Sequence, residues 1–466
     1  MSNSDEPSAK RYLMDTDLST TTQPINETTT ILKLNDDCLY AIFGYLNIES
    51  LCHTANVCKR FRPVTEQVFH RYHSSVKFKS ATNKESSFRR ILCKFGHLIT
   101  SLDVSFAGRY SDFGTDAIAE YCSTDLERLI LHRVIISSDD IALLIPRLKH
   151  LEIRDCVYNM DMDNSADWYK VFTFKNCPKL EVFAFNMENE GCEFLVQKFP
   201  KLKELMLNCE YVRSDIFADI MGLNSQLKML NIQTRLNDEL IYSIIHAKDL
   251  ENLTISGGNK SNWDYKAIRT VNGLLRLAKL KKLKVLNIDI TFSGYARSFI
   301  QLIESLSNKN IPIEHLSIDS ISIKSQEIHS LRTLTTLRSI CLSGVTQMNE
   351  VGVAIVLDKL PLLESLTFRF GLYPSITLTG TGLTKMVESG MRLKNLSFIG
   401  DCNIKLTLEQ YKSLLKVIQN SYREKISIRI TGNKRLHIKV PARILIANEN
   451  TLEFIFDQLF TDDSDN

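Results

Sequence analysis

Residues 126–131 read LERLIL, residues 148–153 read LKHLEI and residues 202–207 read LKELML. Each stretch sets apolar anchors at its first, fourth and sixth positions and fills the gaps mainly with charged or polar residues. The same pattern returns as LKMLNI from Leu227, LENLTI from Leu250, LKVLNI from Leu283 and IEHLSI from Ile313. It continues as LRSICL from Leu337, LESLTF from Leu363 and LKNLSF from Leu393, and ITSLDV from Ile99 and LEVFAF from Leu180 keep it with substitutions. These twelve copies start 22 to 33 residues apart, and the longest intervals follow Ile153 and Ile255.

A mean period near 27 residues is the period of leucine-rich repeats. The second and third anchors alternate inward along a short strand, and the segment after them coils back as a helix over the same core. No repeat can bury its apolar face alone, so stacked repeats must share one core. The expected fold is therefore α/β, a leucine-rich-repeat solenoid over residues 98–404 whose parallel curved sheet is backed by outer helices. Beyond Phe398 the pattern changes: LTLEQYKSLLKVIQ reads as a helix and ISIRITGNKRLHIKV as two strands around Gly432-Asn433. Residues 405–460 are expected to form a capping module that covers the end of the core, and 461–466 a solvated acidic tail.

The bulk numbers fit such an array. With 466 residues, 44% of them hydrophobic, the chain exceeds one domain of ordinary size. A net charge of +3 gives no global field toward nucleic acid or anionic membrane, and neither is expected as a partner. Residues 1–30 are polar and read as a disordered tail with no signal-peptide core. No apolar run approaches the length that spans a bilayer. Eleven cysteines, odd in number and unpaired in spacing, suit buried thiols in a reducing compartment, cytoplasmic or nuclear. The Asn-x-Ser/Thr triplets at Asn26, Asn252 and Asn395 then carry no glycan.

Ahead of the repeats stands LNDDCLYAIFGYLNIESLCHTANVCKRF, residues 34–61. Asp36 and Asp37 suit the start of a helix, where carboxylates meet unpaired N–H groups. Leu39, Ile42, Phe43 and Leu46 then form one apolar stripe at helical spacing. Leu51, Ala55, Cys58 and Phe61 extend the stripe past a break at Asn47, and Pro63 follows its basic end. A unit this short buries too little surface to be stable alone. Periodicity leaves two readings open, a cap on the first repeats or a module that docks on a partner.

The run Leu34-Asn35-Asp36-Asp37, then Leu39, Ile42-Phe43, Tyr45-Leu46, Ser50-Leu51 and Val57-Cys58-Lys59-Arg60-Phe61, resembles an F-box, the adaptor-binding module of SCF ubiquitin ligases. The box is expected over 31–64, with a helical linker over 65–97. An F-box followed by leucine-rich repeats is the arrangement of the F-box/leucine-rich-repeat family. The resemblance implies a noncatalytic substrate receptor whose box binds a Skp-type adaptor and, through it, a cullin and a RING subunit. The box's apolar set would be Leu34, Leu39, Ile42, Phe43, Leu46, Leu51, Val57, Cys58 and Phe61. Some of these would face the adaptor and some would hold the helices together, with Leu46 and Val57 the strongest candidates for a purely internal role and Leu34 and Phe43 the weakest. The family usually has Pro where this chain has Asn35, which bears on how the chain enters the first helix. The alternative is a leucine-rich-repeat scaffold or inhibitor whose N-terminal helices are only a cap.

Chemistry-bearing clusters are scarce. His70 and His73 have no third metal ligand nearby, and Cys52 and Cys58 sit within the apolar stripe. The run Thr379–Lys385 lacks the spacing of a phosphate loop and suits a repeat turn. No metal, cofactor or catalytic residue is expected. The client, of unknown identity, would dock on residues beside the anchors, here Ile130, His132, Arg154, Ala184, Met206 and Arg369. Isolated arginines point away from phosphorylated segments and toward recognition by shape and neutral hydrogen bonds, with Ile130, Ala184 and Met206 as an apolar anchor.

Overall fold

The computed structural model describes residues 30–80, 85–106, 115–122, 124–136, 138–158, 177–186, 192–257, 272–290, 296–370, 376–400, 402–420, 425–431, 436–439 and 452–456. The tails expected at 1–30 (save Thr30) and 461–466 lie outside the described residues, as do parts of 405–460. The chain divides into two units, one ending at Tyr72 and one beginning at His73.

The first unit is three helices, α1 (Asp36–Phe43), α2 (Ile48–Ala55) and α3 (Phe61–Tyr72), with α1 and α2 both packed on α3. Asparagines start the first two: Asn35 accepts a hydrogen bond from the Cys38 N–H at 2.9 Å, and Asn47 accepts one from Ser50 at 2.8 Å. Side-chain oxygens at this position satisfy N–H groups that a helix leaves unpaired. The first unit therefore runs through residues 65–72, which the linker reading had placed outside it.

Among the described residues, the second unit is built on one parallel sheet of fifteen strands in sequence order. All twelve L-x-x-L-x-L copies supply strands to it. Residues two anchors deep align across the whole series, for example Leu102 with Leu129, Leu129 with Leu151, and Leu366 with Leu396. Every first anchor from Ile99 to Leu393 is buried. Helices between the strands pack on one another in succession, as Ser214–Leu223 does on Asp238–Ile244 and Glu350–Asp358 on Gly380–Ser389. The fold is an α/β leucine-rich-repeat solenoid.

Three strands of this sheet lie outside the motif copies: Ser75–Ser80, Ile426–Thr431 and Leu452–Phe456. The first pairs with Ser101–Phe106, so part of the segment read as a helical linker is a strand of the sheet. The other two continue the sheet past Asn395–Ile399 through residues read as a separate cap. Leu436–Lys439 does not pair with Ile426–Thr431; it joins a second, three-stranded parallel sheet with Ile376–Thr379 and Cys402–Thr407. The pattern hid these strands because the sequence has His73, Lys425 and Thr451 three residues before their first inward residue, while the inward pairs such as Val76/Phe78 and Ile428/Ile430 remain apolar.

One carbonyl per repeat sets the register. The N–H groups of Lys149 and His150 both donate to the Glu127 carbonyl, at 2.8 and 3.0 Å, and those of Glu181 and Val182 both donate to the Lys149 carbonyl. The device recurs through Lys394 and Asn395, which share the Glu364 carbonyl. A loop can lengthen without shifting this clamp, so variable repeat spacing leaves the strands aligned.

The side chains at the clamp positions alternate in sign: Glu127, Lys149, Glu181 and Lys203, then Lys228, Glu251, Lys284, Glu314, Arg338, Glu364 and Lys394. Ion pairs link them at 2.6 Å for Lys149–Glu127 and Lys203–Glu181, and at 2.9 Å for Lys284–Glu251 and Lys394–Glu364. Arg338 reaches both Glu314, at 3.4 Å, and Glu364, at 3.3 Å. Lys203 and Lys228 are the one pair of like neighbours in the series.

Candidate functional site

In the first unit the structure separates the two sets of apolar residues that the sequence left merged. Leu39, Phe43, Leu51 and Phe61 are buried, and the Phe43 and Phe61 rings meet edge to face with centroids 5.0 Å apart. These side chains hold the three helices together. Leu34, Leu46 and Cys58 are half-buried. Ile42 and Val57 are exposed, at 42% and 67%, and so are Ile31, Leu32 and Tyr45, the last at 93%. This reverses the ranking for two of its four residues: Val57 faces solvent and Phe43 is core, while Leu34 and Leu46 are alike half-buried. Phe43 closes the last turn of α1 against the start of α3, whereas Val57 sits in the turn between α2 and α3, where nothing covers it.

Arg60, read only as part of the basic end, closes the unit. Its guanidinium donates to the Leu32 carbonyl at 2.7 Å, to the Leu34 carbonyl at 2.5 Å and to the Asp36 carboxylate at 2.9 Å. The segment before α1 is thereby tied to the residue just before α3. Asn35 needs no proline to do its work: its φ of −71° and ψ of 169° are those proline would impose, and its side chain adds the cap. Asn35→Pro is expected to keep the box folded, with stability changed by no more than about 1 kcal/mol because ring rigidity offsets the lost cap. Thermal melting of the two forms checks this.

In the second unit the candidate client residues lie in register on the outward rows of the sheet. Ile130 stands beside Glu152, Glu152 beside Ala184 and Ala184 beside Met206, while His132 stands beside Arg154 and Arg154 beside Asn186. Arg369 is on the twelfth strand and Arg154 on the fourth, so about 38 Å of sheet separates them. The structure does not bring these two together.

It brings Arg154 together with a residue that the reading of two rows omitted. Arg128, one row earlier, reaches Glu152 Oε1 at 3.2 Å, His150 Nε2 donates to the same oxygen at 2.5 Å, and Arg154 pairs with Oε2. Glu152 is only 4% exposed although its row faces outward, because these three side chains cover it. The His150 hydrogen bond, with help from Arg154 and Arg128, holds its carboxyl below the ordinary glutamate range against the burial that would raise it. Beside the cluster, Val182, Met206 and Met229 are half-buried and Ala184 is buried, a shallow apolar strip that bends around Glu204, which stands in register between Val182 and Met229. Glu152 stands between Ile130 and Ala184, so the apolar anchor expected from Ile130, Ala184 and Met206 is interrupted by charge. His132 pairs with Asp155 at 3.3 Å.

The Thr379–Lys385 run serves packing between two repeats. The Thr379 N–H and hydroxyl both donate to the Glu350 carboxylate, at 2.5 and 2.7 Å, and Thr379 caps the helix by accepting from Gly382 N–H. A Cβ at Gly382 would come 2.1 Å from Glu350 Cδ, so glycine is what lets the two helices close. None of the eleven cysteines is in a disulfide, and seven are buried. Burial pushes the thiols of Cys122, Cys177 and Cys209 up to about 12 and that of Cys156 to about 11, which keeps them protonated.

The F-box domain family matches residues 31–68. No curated protein matches the sequence. Among solved structures, the chain is similar to an internalin, InlF, from Listeria monocytogenes, with 16% identity over 80% of this chain and 89% of that one and a TM-score of 0.46. It is also similar to a chain of the Rad7 and Elc1 complex in yeast, with 14% identity, coverage of 78% and 88%, and a TM-score of 0.39. A third likeness is to the TLR13–ssRNA13 complex, with 15% identity, coverage of 81% and 58%, and a TM-score of 0.42. The chain thus carries an F-box domain, and in sequence a leucine-rich-repeat solenoid follows it.

Proposed function

We propose that the chain is the substrate-recognition subunit of an SCF-type E3 ubiquitin ligase. The F-box docks on a Skp-type adaptor, which brings a cullin and a RING subunit, and the solenoid holds a client protein for ubiquitination. The observation that carries this reading is the set of apolar side chains, Ile42, Tyr45 and Val57 with Ile31 and Leu32, left in solvent by a helical unit whose core is already filled by Leu39, Phe43, Leu51 and Phe61. A small unit that packs its interior and still presents exposed aliphatic and aromatic groups has the makings of a docking face. The chain itself supplies no reacting group. Its contribution is to hold client and ubiquitin-loaded enzyme together, raising their effective concentration. Such assemblies work in the cytoplasm or nucleus, which cysteines held as thiols suit.

The test is titration of the full chain with purified adaptor, comparing wild type with Ile42→Ser/Tyr45→Ser/Val57→Ser. These positions are solvent-exposed, so the variant is expected to melt as wild type does. Its adaptor affinity is expected to fall about 100-fold or more, the sum expected of interface anchors. Unchanged affinity would overturn the reading and leave a leucine-rich-repeat scaffold.

A further inference from the structure

The Arg128–His150–Glu152–Arg154 cluster is more than a local ion pair. A buried carboxylate on an outward row is uncommon: apart from Glu152 and the small Ala184, the side chains of this row are half-buried. Glu152 holds two guanidiniums from neighbouring strands on one spot, and each of them remains substantially exposed, at 37% for Arg128 and 49% for Arg154. A guanidinium carries five N–H donors, and a bond to Glu152 uses only part of each set. Its two guanidiniums against one carboxylate leave one positive charge in excess.

We infer that this cluster, with the strip Val182, Ala184, Met206 and Met229, is the subsite for a client segment that pairs a carboxylate side chain with a large apolar one. The inference rests on the receptor reading and names the chemistry of what the solenoid holds. Charge complementarity selects the carboxylate. One negative charge neutralises the excess, whereas a phosphate, near two negative charges at neutral pH, overshoots it and sets its oxygens against Glu152. Arg128 and Arg154 present the forked donors that suit carboxylates. Spacing follows from the sheet. Arg154 lies on the fourth strand and Met206 on the sixth, two residues back from the register partner of Arg154, so they are about 12 Å apart, which an extended peptide crosses in about three or four residues. The recognised segment therefore has Asp or Glu about three or four residues from Leu, Ile, Met or Phe.

The experiment is selection from a phage-displayed peptide library on the full chain, with counter-selection on Arg128→Gln/Glu152→Gln/Arg154→Gln. That triple variant removes all three charges together, so no buried ion is left without a partner. Arg154→Gln alone, which keeps Arg128 and His150 on Glu152, serves as the second variant, and both are checked by thermal melting. Clones that fail on the variants are expected to carry the acidic and apolar residues at the stated spacing. In a synthetic peptide from such a clone, exchanging the acid for its amide is expected to weaken binding about tenfold, and exchanging it for phosphoserine to bring no gain. The inference is overturned if no clone depends on the cluster, if the amide binds as well, or if phosphoserine binds tighter. Adaptor affinity measured on the same preparations separates the two readings: intact adaptor binding with no cluster-dependent clone removes this inference and leaves the receptor assignment standing.

Discussion

Phe43→Ala is expected to unfold the F-box. The side chain is 2% exposed and its ring packs against Phe61, so truncation removes core contacts and leaves a cavity worth about 3–5 kcal/mol. A unit of this size has no more than a few kcal/mol of stability to lose. Limited proteolysis is expected to cut the variant within residues 31–72 while the repeats stay intact, and adaptor binding is expected to disappear with the fold. The surface variant at Ile42, Tyr45 and Val57 is expected to resist the protease and still fail to bind. Protease resistance in Phe43→Ala equal to wild type would mean that the inner stripe does not hold the box together.

Gly400→Ala is the second substitution with a large expected effect. Gly400 follows the strand Asn395–Ile399 with a φ of +103°, a conformation that residues with a side chain rarely adopt. A Cβ there would also lie 2.7 Å from the Phe370 carbonyl oxygen. The strand that leads into it is fixed by the pairing of Ser365–Phe370 with Asn395–Ile399, and the rings of Phe368, Phe370 and Phe398 stack across that pair. Strain and collision together are expected to destabilise the solenoid by about 3 kcal/mol in urea unfolding. Gly222→Ala is the control: it lies in the helix Ser214–Leu223 with nothing within 4 Å of its missing Cβ, and the change is expected to stabilise by up to about 1 kcal/mol.

The repeat was legible because its anchors must be apolar in every copy. A strand that lacks the first anchor still stacks when its two inward residues are apolar, so Ser75–Ser80, Ile426–Thr431 and Leu452–Phe456 escaped a search for the whole motif. Helical spacing found the stripe of the box but not its inside and outside. On a short helix packed on one neighbour, Ile42 and Phe43 are adjacent in sequence and point about 100° apart, and only packing tells which is core. Arg60 and Arg128 were missed for one reason. Their partners lie far along the chain, Leu32 at 28 residues and Glu152 at 24, and no local pattern records such a pair. The alternation of sign at the second motif position was the readable signal that sequence inspection passed over.

That alternation gives the solenoid a parity. Removing one repeat from an alternating run places like charges side by side: without the Arg338 repeat, Glu314 meets Glu364, and two attractive contacts give way to a repulsive one. Each exposed contact is worth less than about 1 kcal/mol, so the penalty is modest, but it recurs at almost every point of deletion. Removing two consecutive repeats restores the order. Lys203 and Lys228 are the exception, because loss of either repeat lets its neighbour meet an acidic partner, Glu181 or Glu251. An array of this kind tolerates change in length by twos, and by one only at that place.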